Sequence, residues 1–206
     1  MSSGIVLSGG LSRRFGTDKA LVDLEGKPLI QYVLDVVTPL VDETIIVVKT
    51  QEQGIRIREA CKGSFILVFD ESEVSSPLVG ALTGMRTARG EVSLLLACDT
   101  PFLSSGVLSF LLHTGPSYDA VIPMWPNGNM EPLQAVYNTG KTREVAAEAI
   151  EAKELRVYDA IKRLHKVLYI SMEVLRQLDP SLGTFENVNT SSDLERVAML
   201  LRSRSR

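Results

Sequence analysis

Gly4-Ile5-Val6-Leu7-Ser8-Gly9-Gly10-Leu11-Ser12-Arg13-Arg14-Phe15-Gly16-Thr17-Asp18-Lys19 begins as an apolar run and breaks into a loop that holds three glycines and three cations. The run reads as a buried strand. Gly9, Gly10 and Gly16 admit backbone angles that other residues avoid, so successive N–H groups can turn inward, and Arg13, Arg14 and Lys19 add full positive charges. A loop placed directly after a first strand lies where open α/β sheets hold their ligands. The pattern predicts a grip for a triphosphate, with an ordinary solvated turn as the alternative that the loop alone leaves open. Neither common phosphate fingerprint is present: the GK[ST] ending of the Walker loop is missing, and so is GxGxxG opening a helix.

Outward from this loop, apolar β-branched runs recur at residues 44–48, 65–69, 92–97 and 119–123, separated by longer segments of helical spacing. Alternation of this kind reads as βαβ units. Pro28, followed by Leu29, Ile30, Val33, Leu34, Val36 and Val37, marks a buried first helix. Continuous runs such as Val92-Ser93-Leu94-Leu95-Leu96-Ala97 suit strands covered on both faces. Residues 119–124 and 131–137 are both strand-like, and the Asn127-Gly128 pair between them is a hairpin signal. Trp125 on that hairpin is read as an exposed turn tip or as a lid over an acceptor substrate. Helical periodicity returns at 142–153, 155–164 and 191–201, with short strand candidates at 167–170 and 186–188. The fold class expected is a three-layer α/β/α, Rossmann-like arrangement with a predominantly parallel, mixed central sheet.

The chain has 206 residues, 45% of them hydrophobic, which suits a single domain with a sizeable core. A net charge of −3 and a pI near 5.5 argue against sequence-independent nucleic-acid binding, which needs clustered cations. The terminal Arg202-Ser203-Arg204-Ser205-Arg206 reads as a solvated tail. No apolar run approaches the ~18 residues of a membrane span. Two cysteines, Cys61 and Cys98, cannot build a disulfide framework, and no leader-like segment precedes the first strand, which predicts a cytoplasmic protein. Cys98 is read as a small buried apolar residue rather than a nucleophile. His113 and His165 lack metal-ligand spacing and are read as structural.

Leu7 to Leu29 reads LSGGLSRRFGTDKALVDLEGKPL and resembles the signature of the molybdenum cofactor guanylyltransferases, roughly LAGGxSRRMGxDKxxLxxxGxPL, with Ser8 where the family has alanine. Other segments are similar too. Ala97-Cys98-Asp99-Thr100-Pro101-Phe102 matches the CDxPF segment that ends the family's metal-binding strand. From the residues alone Asp99 is equally a cap for the turn at Thr100 and Pro101 or the carboxylate of a Mg²⁺ site. The resemblance implies the second. Asp70, followed by Ser76-Pro77-Leu78-Val79-Gly80, corresponds to an acidic residue and GPLAG in the family. Phe185-Glu186-Asn187-Val188-Asn189-Thr190 is similar to FxNVNT, and Arg156 matches an arginine on the pterin side. Val48 departs from the pattern, because the better-known members end the second strand in an asparagine that contacts nucleotide.

The resemblance implies a nucleotidyltransferase fold in one domain spanning residues 1–206, whose N-terminal half binds GTP and Mg²⁺ and whose C-terminal half binds the acceptor. It implies transfer of GMP from GTP to the terminal phosphate of molybdopterin, with loss of pyrophosphate. Lys19, Arg14 and Asp99 would be catalytic, and Asp99 the metal ligand. Leu7, Ser8, Gly9, Gly10, Arg13, Lys19, Asp70, Pro77, Leu78, Gly80 and Asp99 would bind nucleotide; Arg156, Asn187 and Asn189 would bind acceptor. Partners expected are GTP, molybdopterin and proteins that donate or receive the cofactor, with no nucleic acid and no membrane. Three rivals stand beside this reading: CMP transfer to molybdopterin, transfer to a sugar-phosphate or phospholactate acceptor, and a non-catalytic GTP-binding accessory protein.

Overall fold

Val6, Ile46, Val48, Leu94 and Leu96 are buried on one face of the central sheet, and Ile5, Ile45, Val47 and Leu95 on the other. Strands that are buried on both faces offer neither to water, so helices cover both sides. The computed structural model describes residues 1–8, 18–70 and 72–204. In chain order the elements are β1 (Ser2–Leu7), a short ribbon of β2 (Asp23–Leu24) and β3 (Lys27–Pro28), α1 (Leu29–Val37), β4 (Glu43–Val48), α2 (Gln51–Ala60), β5 (Ile66–Phe69), α3 (Pro77–Thr87), β6 (Val92–Ala97) and α4 (Ser105–Thr114). The second half holds β7 (Ala120–Met124), β8 (Gln134–Asn138), α5 (Thr139–Glu151), α6 (Val157–Ile161), β9 (Val167–Ser171), α7 (Met172–Leu175) and α8 (Ser191–Arg204).

Among the described residues seven strands form one sheet in the order β5-β4-β1-β6-β8-β7-β9. β8 runs antiparallel to both of its neighbours, and the remaining pairings are parallel. This is the mixed, mostly parallel sheet expected. Helices α1, α2, α4 and α7 cover one face and α3, α5 and α6 the other. Gly84 lets α3 press against β1, since a Cβ there would lie 2.5 Å from Ile5 Cγ2. Helix starts are capped as their sequences suggest: Thr50 Oγ1 accepts from Gln53 N, Ser76 Oγ from Val79 N with Pro77 next, and Asn138 Oδ1 from Lys141 N.

The parallel strands β1, β4, β5 and β6 all end at one edge of the sheet, with Leu7 beside Val47 and Ala97, and Val48 beside Phe69. The hairpin between β7 and β8 rises from the same edge, its turn closed by Gly128 at φ +84°. Several expectations change here. Residues 186–188 form no strand; they follow a 3₁₀ turn at Gly183–Phe185 as extended backbone, and Val188 N–H donates to Asp99 O at 2.9 Å. The helix expected at 155–164 is only Val157–Ile161, because Arg163 folds back to donate to Asp159 O and Glu154 Oε2. Trp125 is not an exposed tip: it packs edge-on against Phe185 at 6.3 Å, and its Nε1 donates to Glu131 Oε1 at 2.6 Å. His113 and His165 both lie at the surface. No helix among the described residues is long and apolar enough to cross a membrane.

Candidate active site

The site is assembled from strand ends. Ser8, first residue beyond β1, is buried; its N–H and Oγ both donate to Val47 O, at 3.0 and 2.9 Å. Residues 9–17, which include Gly9, Gly10, Arg13 and Arg14, lie outside the described residues. The chain is described again from Asp18, whose carboxylate accepts from Ala20 N at 3.1 Å and caps the 3₁₀ turn Lys19–Leu21. Burial raises the Asp18 pKa, opposed by the Ala20 N–H, the Gln53 side chain and the charge of Arg56.

Lys19 donates through Nζ to Asp99 Oδ2 and, at 2.7 Å, to Asn189 Oδ1. Both members of the ion pair are largely buried, each side chain 14% exposed. The other oxygen, Asp99 Oδ1, is buried without a hydrogen-bond partner among the described residues. A buried carboxylate oxygen without a partner is costly, and is found where something else completes the site. Asp99 itself is held by two strands and a loop: Cys98 N–H donates to Leu7 O at 3.1 Å, and Asp99 O accepts from Val188 N. Burial, with the Asp99 charge beside it, pushes the Cys98 thiol far above its ordinary range, and burial takes Cys61 up to about 11. Both thiols are therefore expected to resist iodoacetamide at pH 8 in the native protein and to alkylate only after denaturation. Alkylation of Cys98 in the folded protein, read by mass spectrometry, contradicts this.

On the other side of β1, between the ends of β4 and β5, lies a narrow cleft. Leu7, Val47, Val48, Pro77 and Gly80 give it apolar walls, and Lys49 and Asp70 supply opposite charges at its outer end. Lys49 Nζ is 3.1 Å from Asp70 Oδ2 and also donates to Ser72 O. Asp70 Oδ1 accepts from Ser72 N at 3.1 Å. Val48, the departure seen in the sequence, is wholly buried as a side chain, and the charged position at the strand end is the next residue, Lys49. Leu78 is 1% exposed and packs in the core beneath the cleft.

Gln53, in the first turn of α2, holds the pieces in register. Its Nε2 donates to Ser8 O at 2.8 Å and its Oε1 accepts from Lys49 N at 2.8 Å. Sequence reasoning missed both Lys49 and Gln53. A cation at a strand end beside Asp70 was a readable signal for the first; nothing local marks the second.

Of the residues expected on the acceptor side, Asn189 reaches Lys19, while Asn187 is exposed. The two flank buried Val188, as alternation along extended backbone requires. Thr190 and Asp193 form the reciprocal cap of α8, with Asp193 N donating to Thr190 Oγ1 and Asp193 Oδ2 accepting from Thr190 N. Arg156 is exposed, and its backbone N–H donates to Asp159 Oδ2 at 3.1 Å. It sits five residues past the end of α5, a helix that starts at the amino edge of the sheet, where Thr139 N–H donates to Glu91 O. Thirteen residues at about 1.5 Å each carry the chain back to the edge that holds Asp99.

The chain is 33% identical over 199 residues to a protein of Methanosarcina acetivorans named probable molybdenum cofactor guanylyltransferase, covering 94% of this chain and 88% of that one. It is 33% identical over 203 residues to the molybdenum cofactor guanylyltransferase of Desulfosudis oleivorans, covering 98% and 96%. Among solved structures it superimposes on molybdopterin-guanine dinucleotide biosynthesis protein A from Archaeoglobus fulgidus with a TM-score of 0.82 at 29% identity, over 98% of this chain and 99% of that one. Residues 4–167 match the MobA-like NTP transferase domain, so a chain whose strand ends bring together Lys19, Asp99 and a charged cleft belongs to that family.

Proposed function

We propose that the chain transfers GMP from GTP to the terminal phosphate of molybdopterin, or of its metal-loaded form, and releases pyrophosphate. The observation that carries this reading is the contact of Lys19 with both Asp99 and Asn189, at the point where the end of β6, the 3₁₀ turn at Lys19 and the C-terminal segment meet. An oxygen of the acceptor phosphate attacks the α-phosphorus of GTP, the bond from that phosphorus to the bridging β-oxygen breaks, and pyrophosphate leaves. Phosphoryl chemistry of this kind rests on positioning and on neutralising the charge that moves to the leaving group.

In this reading Lys19, Arg13 and Arg14 neutralise the phosphates, with the backbone of Ser8, Gly9 and Gly10 cradling them. Leu7, Pro77 and Gly80 line the cleft for the base, and Asp70 accepts from it. Arg156, Asn187 and Asn189 hold the acceptor. The buried, unpartnered Asp99 Oδ1 suits a hard cation. Mg²⁺ takes one or two carboxylates and fills its shell with water and substrate phosphate, which a single aspartate at this position can serve. Asp99 would hold it, and the ion would polarise phosphoryl oxygens. Cys98, with its thiol fully protonated, takes no part.

Pyrophosphate release measured with GTP, CTP and ATP, each with and without molybdopterin, tests the proposal. Release only with GTP and molybdopterin together is the expected result. Release with CTP at equal rate, or none with any nucleotide, overturns it in favour of the cytidylyl or the non-catalytic reading.

A further inference from the structure

Lys49 has three ammonium hydrogens to donate. Asp70 Oδ2 at 3.1 Å and Ser72 O take two of them, and among the described residues the third has no partner. The Lys49 side chain is 31% exposed, at the mouth of the cleft, and Asp70 only 9%. Asp70 is also underused: each carboxylate oxygen takes one hydrogen bond, from Ser72 N or from Lys49, and carboxylates accept about four. Among the described residues the pair is therefore one free donor beside two free acceptor positions, set at the end of an apolar slot between Leu7, Val47 and Pro77.

We infer that Lys49 is the residue that reads O6 of guanine, donating to it while Asp70 accepts from N1–H and the 2-amino group; the inference rests on the GMP-transfer reading above and deepens it. The hydrogen-bond pattern decides among the bases. The edge of guanine presents one acceptor and two donors in sequence. Adenine presents an amino donor where O6 would be, against the ammonium. Cytosine and uracil present two acceptors and one donor, the reverse count.

The geometry supports the assignment in two further ways. The pair is set before any base arrives, because Asp70 Oδ2 and Ser72 O hold the Lys49 ammonium while Gln53 Oε1 holds its backbone N–H at 2.8 Å, and preorganised partners lose little freedom on binding. It also lies well away from the reacting centre. β5 is three strands from β6, about 14 Å at the usual strand spacing, so a nucleotide laid across the strand ends puts its base at Asp70 and its phosphates at Lys19 and Asp99.

The test is direct binding of GTP, ITP, ATP and CTP in magnesium buffer without acceptor, for the wild type, Lys49→Met and Lys49→Arg. A hydrogen bond to a charged group is worth about tenfold or more in affinity. Lys49→Met is expected to weaken GTP and ITP equally, by about tenfold or more, because both carry O6, and to leave ATP unchanged or tighter. Lys49→Arg, which keeps a donor, should retain the preference for GTP. The ratio between nucleotides is read within each variant, so a fraction of unfolded protein cancels. An unchanged GTP-to-ATP ratio in Lys49→Met, whether both affinities fall or neither does, overturns the assignment. Absence of GMP transfer with the GTP preference intact would instead remove the proposed reaction and leave this guanine site standing.

Discussion

Asp99→Asn is expected to lower kcat for GMP transfer roughly 10²- to 10³-fold, the ~3–4 kcal/mol typical of losing a group aimed at the transition state. The substitution keeps an oxygen that can accept from Lys19, so the contact that holds the site together survives as a hydrogen bond from the ammonium to a neutral amide oxygen. What disappears is the charge at Oδ1, the buried atom without a partner. The fold should barely register this, with a thermal midpoint within about 3 °C of wild type. A variant with near-normal kcat would remove Asp99 from the reaction, and a variant that melts early would mark it as structural.

Lys19→Met is expected to lower kcat by a similar factor but, unlike Asp99→Asn, to unsettle the protein as well. With Lys19 gone, neither oxygen of Asp99 has a partner among the described residues, at a position where the carboxylate side chain is only 14% exposed in the wild type. Breaking a buried pair from one side costs about 3 kcal/mol or more, equivalent to roughly 10 °C in a domain of this size. The double variant Lys19→Met with Asp99→Asn should recover most of that stability and none of the activity, because the strain comes from an uncompensated charge. Thermal melts and pyrophosphate release on the four proteins of this cycle separate the two effects. If the melting changes simply add, the two side chains are not coupled and the buried pair has no energetic meaning.

The strands were legible because burial leaves a one-dimensional trace. Val92 to Ala97 is apolar in five of its six positions and forms the strand its pattern announces, since a strand covered on both sides cannot carry charge. The start of α8 was legible for a different reason: its cap is local, with Thr190 and Asp193 only three residues apart. Residues 186–188 misled because alternation of Asn187, Val188 and Asn189 is what extended backbone produces with or without a neighbouring strand, and here the partner is a lone carbonyl of Asp99. Trp125 misled because Phe185, which covers it, is remote in sequence. In the site, Lys19, Asp70 and Asp99 stood out through a resemblance that spans short motifs. Gln53 did not, because its three roles lie with Ser8, Lys49 and Asp18, and an amide in the first turn of a helix looks the same whether it faces water or clamps a loop.

Lys19 and Asn189 meet across a separation of 170 residues. Contacts so distant along the chain form late, since most of the loop between them must be ordered first. During synthesis, a ribosome-bound chain that has emerged as far as residue 175 carries all the strands of the main sheet and both walls of the cleft, yet Lys19 has only Asp99 to hold. Translation thus imposes a timetable on this protein: the main sheet and the cleft beside Lys49 and Asp70 are complete while the segment that brings Asn189 to Lys19 is still being made.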